Sequence, residues 1–361
     1  MPLFDVSTAL PRQELAMAIV EGEGAIGGLI GEDILPDFPI NRRTAHLIKA
    51  TIADTQALRQ IAAPKYVRAP GTKFERVVAK LGDDQFTVTL RGVEIVIPNE
   101  VQLDYAGYAD LEAFYAARFG NEFSGLTKEF LIAAQIFNTT TFGAATNSSI
   151  AYTEANLSTI SYIPDTVSAT RRLKAKGEPP PYVQAMSGTV FERVRRANTI
   201  QQYVVGTLRA GQEATHNMIE QAMQEFGLKS ILVGDSYYSS GVDGATPPTL
   251  TPTWSNAYMW TGRAGLARGI GTDTEPNPEK DVSEGIGVPI LGGVGVNAFW
   301  EAFDAGGMPA DEGDENKYEG GNFVESYYSR EIDSQVLRIK MSSTPYIGNV
   351  RCGDLINPQY S

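Results

Sequence analysis

The sequence predicts an α+β chain, and three observations carry that prediction. Residues 110–137 hold one strongly periodic helical stretch. Residues 77–99 read as two strands joined by a Gly-containing turn. Near the C-terminal end "FVESYYSREI" and "SQVLRIKMSSTPYIG" alternate in the manner of antiparallel strands. The chain has 361 residues, 42% hydrophobic and 20% charged, which is globular rather than disordered composition and enough for one large core or two ordinary ones. No internal repeat is present.

Taken in order, residues 1–33 form a Gly-rich arm with a short helical candidate, Arg12–Val20, followed by "ILPDFPI" (Ile34–Ile40), whose prolines enforce an extended path. Residues 44–66 are mixed, with a short helix or strand, and "RAPGT" (Arg68–Thr72) is a turn. The two strands that follow turn at Gly82-Asp83-Asp84. Phe74–Lys80 alone spans ~23 Å at ~3.3 Å per residue. In the second strand Phe86, Val88 and Leu90 share one face and Thr87, Thr89 and Arg91 the other. After Gly92 the parity flips to Val93, Ile95 and Ile97, which predicts a bulge or bend at the glycine. A two-stranded ribbon is marginal in water, so this one needs a surface to lie on.

In the helical stretch, Leu111, Tyr115, Phe119, Phe123, Leu126, Phe130, Ala134 and Phe137 recur at steps of three and four, with Asp110 as N-cap. Gly120 and Gly125 predict a kink, and Asn138-Thr-Thr-Thr stops the helix. A second helix is predicted over Pro164–Lys176, ended by Gly177 and Pro179–Pro181. Then come a strand at 182–187, a helix over Gly188–Tyr203 and an amphipathic helix over Gly211–Phe226 capped by Gly227. "KSILVGDSYY" is a strand and turn, and "AYMWTGRAGLA" another strand. Residues 269–322 are Gly- and acid-rich and dominated by loops.

The net charge of −13 argues against a nucleic-acid reader, which needs clustered Lys and Arg to neutralise phosphate. The single cysteine, Cys352, excludes an intrachain disulfide and any Cys-based zinc site within one chain; it reads as a small buried residue near a terminal strand. No run of 18 apolar residues and no signal-peptide pattern occurs, so the expected compartment is the cytosol or its viral equivalent, and the acceptor triplets at Asn138, Asn147 and Asn156 are chance matches.

Candidate chemistry is sparse. Gly293-x-Gly295-x-x-Ala298 has the shape of a dinucleotide-binding turn, but "FWEAF" leaves no room for a crossover helix, so a structural Gly-rich loop is the favoured reading. His216 shares a helical face with Glu213 and Glu220, a geometry open to a metal; a solvated face is favoured, because the only other histidine, His46, has no link to it. "DEGDENKYEGG" (Asp311–Gly321) resembles a calcium loop in composition but not in ligand spacing. Arg171, Arg172, Lys174 and Lys176 crowd a helix C-terminus, where the helix dipole favours cations; Arg171, Arg172 and Lys174 could also take an anion or an acidic partner.

The order of "ILPDFPI", "RAPGTKF", the hairpin, "VIPNE", a long helix ending in "IFNTTTF", "LKSILVGDSYYSS", "YMWTGRAGLA" and "VLRIKMSSTPYIGNVRCGDLI" resembles the major capsid proteins of tailed bacteriophages, with the Hong Kong 97 (HK97-like) fold, over nearly the whole chain. The resemblance implies an N-terminal arm at 1–35, the first part of a peripheral domain at 36–59 and an extended hairpin loop (E-loop) at 60–100. It further implies a peripheral domain with spine helix (110–137) at 101–179, an axial domain at 180–332 and return strands to the peripheral domain at 333–361. Inter-subunit contacts are then expected from Arg68, Lys73, Phe74, Arg76, Lys80, Asp83, Asp84 and Arg91 on the extended loop, and from Leu15, Ile19, Ile34 and Phe38 on the arm. Lys73 and Lys80 would be the candidate donors of a crosslink to a neighbour, although ordinary salt-bridging lysines are favoured. Two departures from the family pattern are the long Gly-rich stretch 269–322 and the lack of a scaffold domain before the arm. The implied partners are further copies in hexamers and pentamers, a separate scaffolding protein, a portal and decoration proteins. No cofactor, no metal, no catalytic residue, no membrane and no sequence-specific nucleic-acid contact are implied, and the implied location is the virion, assembled in the host bacterial cytoplasm. An encapsulin-type nanocompartment shell shares the fold as an alternative; a nicotinamide-dependent enzyme using Gly293 and Gly295 is the alternative of another class.

Overall fold

The computed structural model describes residues 10–11, 28–40, 43–49, 82–105, 110–178, 180–205, 214–239, 250–254, 258–261, 294–300 and 322–358. Two sheets organise them. An antiparallel four-stranded sheet runs in the order Leu10–Pro11, Asn322–Ser329, Ser334–Ser342, Leu90–Pro98. A five-stranded sheet runs Thr146–Asn147, Gly353–Asn357, Tyr258–Thr261, Tyr182–Ser187, Leu228–Gly234, parallel at its two outer pairs and antiparallel between. A three-stranded sheet of Thr344–Ile347, Gly295–Trp300 and Asp37–Ile40 lies between them in the chain's path.

The long helix forms where its period predicts. Asp110 Oδ1 accepts from Ala113 N, capping Leu111–Tyr115. A π-helical turn, Ala116–Gly120, then leads into the α-helix Asn121–Ile136. The irregularity expected from Gly120 and Gly125 is thus one extra-wide turn ending at Gly120. The buried face is offset from the apolar stripe. Ala116, Gly120, Ser124, Gly125, Lys128, Glu129, Ile132, Ala133 and Ile136 are buried, whereas Phe119 and Phe130 are 40% and 41% exposed. Small residues on the inner face let the helix lie close to its neighbours, and the bulky rings flank it.

This helix serves two cores. Its first half covers the four-stranded sheet: Ala116 packs with Val324, Leu337 and Ile339, and Val93, Ile95, Tyr115 and Phe123 border them. The opposite face of that sheet is a charged ladder. Arg338 reaches Glu94 at 2.6 Å and Glu325 at 3.3 Å, Lys340 reaches Glu325 at 2.6 Å, and the Arg338 guanidinium lies over the Tyr327 ring. The strict alternation of Leu90–Pro98 follows from having one face against the helix and one against water. The second half of the helix supplies Ile132, Ala133 and Ile136 to one face of the five-stranded sheet, beside Ala185, Trp254, Cys352 and Leu355. The other face carries the helices Tyr162–Lys176, Gly188–Arg196, Asn198–Val205 and His216–Met223 over Tyr182, Met186, Leu228 and Ile231. Gly177 closes the first of these in the left-handed region at φ 93°, as its sequence position predicts.

Several expectations need correction. Gly82-Asp83-Asp84 is not a turn: Gly82–Thr87 is a strand, paired antiparallel with Thr44–Lys49. The break between its two ladders falls at Val88 and Thr89, where Val88 is buried, and Gly92 sits in regular register opposite Lys340. The helix expected over Gly188–Tyr203 is broken at Ala197, which is extended at ψ 128°. Across the expected 332/333 boundary Asn322–Ser329 and Ser334–Ser342 pair over eight residues, and Gly353–Asn357 lies in the five-stranded sheet.

Candidate assembly surfaces

The strands Thr44–Lys49 and Gly82–Thr87 form a two-stranded ribbon, with no third strand beside it among the described residues. Its base is fixed. Val88 N donates to Arg43 O at 2.8 Å, and the Val88 side chain is fully buried with Ile40, Val296, Ala298 and Tyr346. One residue on, Thr89 N donates to Thr344 Oγ1 at 3.0 Å, and Arg91 donates to Ser343 O at 3.0 Å. The chain therefore passes from the ribbon into the four-stranded sheet through a clamp on Ser343 and Thr344. Of the expected loop contacts, Asp83 and Asp84 lie in the ribbon opposite Ile48 and Leu47, and Arg91 lies in the body sheet. Arg68, Lys73, Phe74, Arg76 and Lys80 fall outside the described residues.

A second anchor holds the segment that begins at Gly28. The helix Gly31–Ile34 has no side-chain cap of its own. Instead the buried carboxylate of Glu129 accepts from Ile30 N and Gly31 N, both at 2.8 Å, and from Trp254 Nε1 at 2.5 Å. Burial pushes this carboxyl above its ordinary value, and the three donated bonds, from Ile30, Trp254 and Gly31, pull the other way. Beside it Lys128, also buried, bridges Glu32 and Asp37 at 3.1 Å each. Burial likewise raises Asp37, against the pull of Lys128. Ile34, expected to be an arm contact, is fully buried within its own chain and is a core residue; Phe38 packs against the cluster around Val88. Leu15 and Ile19 lie outside the described residues. Sequence reasoning missed Glu129, although one signal was present: it stands three residues after Leu126 and four before Ala133, an acid on an inward helical face.

The motifs considered for chemistry have structural partners. Gly295 opens a strand, parallel to Asp37–Ile40 and antiparallel to Thr344–Ile347, where a Cβ would come within 2.0 Å of Tyr346 O. With Gly295 through Ala298 in one strand, that part of the motif forms no phosphate-binding turn, so the nicotinamide reading loses it; Gly293 lies outside the described residues. His216 Nε2 lies 2.9 Å from Ile231 O, and Glu220 Oε1 accepts from Ile231 N at 2.7 Å, so both side chains staple their helix to the neighbouring strand. Glu213 and the acidic stretch 311–321 lie outside the described residues, and among those described no cluster of His, Cys, Asp and Glu could hold a metal. Arg172 grips Asp354 through two nitrogens, at 2.7 Å and 3.0 Å, and Lys176 donates to Gly353 O. Cys352 is buried and unbridged, with Asn349 Nδ2 2.9 Å from its sulfur. No described helix is long and apolar enough to cross a membrane.

No protein-family model and no curated protein matches the chain. Solved structures do. A phage-related protein from Bordetella bronchiseptica RB50 is 14% identical, with a TM-score of 0.63 over 98% of each chain. The putative capsid protein of a prophage of E. coli CFT073 is 11% identical, with a TM-score of 0.51 over 97% of this chain and 99% of that one. The capsid protein of cyanophage P-SCSP1u is 10% identical, with a TM-score of 0.50 over 90% and 86%. The chain carries the fold of tailed-bacteriophage capsid proteins, the Hong Kong 97 fold.

Proposed function

We propose that this chain is the major capsid protein of a tailed bacteriophage. Copies assemble into hexamers and pentamers that close an icosahedral shell around double-stranded DNA, in the virion, after assembly in the host bacterial cytoplasm. The observation that carries the reading is the ribbon, a pair of strands with no third strand beside it among the described residues and rooted by a buried clamp at Val88, on a chain whose fold matches phage capsid proteins along nearly its full length. An isolated pair is marginal in water, and lying across a second copy would supply what it lacks.

In this reading residues 1–35 are the arm, 36–59 the first part of the peripheral domain, 60–100 the extended loop with the ribbon at its base, 101–179 with the long helix and 333–361 the rest of the peripheral domain, and 180–332 the axial domain. The role is structural rather than catalytic. A separate scaffolding protein, a portal and decoration proteins are the expected partners beyond further copies. The test is electron microscopy of the protein expressed with and without the companion proteins of its own genome. Closed particles that package duplex DNA are expected; closed particles that enclose a protein cargo instead would favour the encapsulin alternative, and no particles under any condition would overturn the reading.

A further inference from the structure

A row of polar side chains crosses the three-stranded sheet, from the ribbon's root to the segment that begins at Gly28. Arg91 Nη1 donates to Ser343 O at 3.0 Å. The Ser343 hydroxyl donates to Asn297 Oδ1 at 2.7 Å, and Asn297 Nδ2 donates to Asp37 Oδ1 at 2.5 Å. Asp37 Oδ2 accepts from Lys128 Nζ, which also donates to Glu32, both at 3.1 Å. Glu32 follows Gly31, whose N–H is held by Glu129, the residue after Lys128. One unbroken line of hydrogen bonds thus joins the two anchors.

The line has a fixed direction. An ionised carboxylate only accepts, so the Asn297 amide turns its NH2 to Asp37 and its oxygen to the Ser343 hydroxyl. Asparagine meets both demands; ionised aspartate has no donor for Asp37, and leucine has neither group. The strand Gly295–Trp300 places this residue opposite both Asp37 and Pro345, on the central strand of its sheet. Asn297 is fully buried, Ser343 is 1% exposed and Lys128 3%.

Contiguity by itself is not coupling. Here burial supplies the coupling. If the segment Gly31–Asp37 lifted alone, the Lys128 ammonium would lose two carboxylates and Asn297 its acceptor, all in the interior. If Ser343 moved alone with the ribbon's root, the Asn297 oxygen would lose its donor. A polar group stranded in the interior costs more than one that exchanges its partner for water, and a stranded charge costs more still. Opening both ends together lets water reach every member and avoids that cost.

We propose that Asn297 ties the ribbon's root and the arm's exit at Ile30 and Gly31 into one cooperative unit, so that loosening either end loosens both. Ribbon and arm are the segments that the assembly reading gives to neighbouring copies, and the tie's part in a shell rests on that reading: a copy docked on the ribbon steadies the arm of the same chain. The tie itself is tested on the unassembled chain, so its failure leaves the shell reading standing.

Hydrogen exchange of the full-length chain, kept dilute and unassembled, reads both ends. Arg91→Ala removes the guanidinium at the ribbon's root. It should quicken exchange at Ile30 and Gly31 by ~5-fold or more, the scale of one lost buried hydrogen bond, while the helix His216–Met223, in the other core, exchanges as in wild type. In an Asn297→Leu background the same substitution should leave Ile30 and Gly31 unchanged within ~2-fold, the limit of additivity for independent sites. Ser343→Ala, which keeps the carbonyl that Arg91 grips and removes one hydroxyl, takes the place of Asn297→Leu should that variant fail to fold. An Arg91→Ala effect confined to Val88 and Thr89, or one that survives the loss of Asn297, overturns the tie. Equal quickening of His216–Met223 means general loosening and overturns it too.

Discussion

Replacing Glu129 by leucine strands three buried donors at once. Ile30 N, Gly31 N and Trp254 Nε1 lose the carboxylate that accepts from them at 2.8, 2.8 and 2.5 Å. A buried donor left unpaired costs ~1–3 kcal/mol, so three of them at the low to middle of that range cost roughly 3–6 kcal/mol. Removing a carboxyl whose burial already disfavours its charged form offsets part of this, leaving a net loss of about 2–4 kcal/mol. Glu129→Gln keeps one oxygen for Ile30 N and Trp254 Nε1 but turns an amide NH2 toward Gly31 N, a smaller loss of ~1–3 kcal/mol. Urea unfolding followed by tryptophan fluorescence reads both, because Trp254 itself sits on the carboxylate. The expected order of midpoints is wild type, then Gln, then Leu, with the slope unchanged. A leucine variant within ~0.5 kcal/mol of wild type, the range of an ordinary surface change, would refute the anchor.

Other predictions follow from the same contacts. Replacing residues 50–81 by a short Gly-Ser turn keeps the ribbon, with Lys49 still opposite Gly82, and leaves Leu90 and Arg91 in the body sheet; it should yield a folded, soluble monomer that forms no particles, and normal particles would remove the loop between the two ribbon strands from the interface. Burial raises the Asp165 carboxyl, against the hydrogen bonds from Ser161, Tyr152 and Ser149, so the folded state holds that proton more tightly than the unfolded one. Its contribution is full below the ordinary carboxylate range and is lost as pH rises through the raised value; the stability margin of wild type over Asp165→Asn should shrink with rising pH in that window, and a widening margin would contradict it. Gly295→Ala forces a methyl against Tyr346 O and should cost ~1–3 kcal/mol in unfolding experiments without altering any nicotinamide binding, of which none is expected; saturable micromolar binding lost in the variant would revive the enzyme alternative. With a net charge of −13, the free protein should not shift duplex DNA at physiological salt, and tight binding in a shift assay would contradict the charge argument.

Local patterns in the sequence disclose the elements whose determinants are local. The cap at Asp110, the period through Phe137, the stop at Asn138, the left-handed close at Gly177 and the strand at Tyr182–Ser187 all follow from neighbours within a few residues. What eludes such reading depends on distant partners. Gly82-Asp83-Asp84 has turn composition, but its ladder partner is Thr44–Lys49, more than thirty residues upstream, and long-range pairing overrides the local signal. The inner face of the long helix is built from Ala116, Gly120, Ser124, Lys128 and Glu129, which a search for bulky apolar residues passes over. The break at Ala197 lets two short helices cover one sheet face, a packing demand without a local breaker: the residue is alanine. In the candidate site, Val93, Ile95 and Ile97 are legible as one inward face, whereas the partners that make anchors of Glu129 and Val88 emerge only once residues more than a hundred, and for Val88 more than two hundred, positions apart are brought together.

The central claim is that this polypeptide completes its structure only on further copies of itself. Electron microscopy of the purified wild-type protein at high concentration, with its companion scaffolding protein added, measures this directly. Closed shells of uniform diameter, dismantled by removal of residues 50–81, are the predicted result. A monodisperse particle of 39.1 kDa under every condition, with the ribbon folded against its own body, would contradict it.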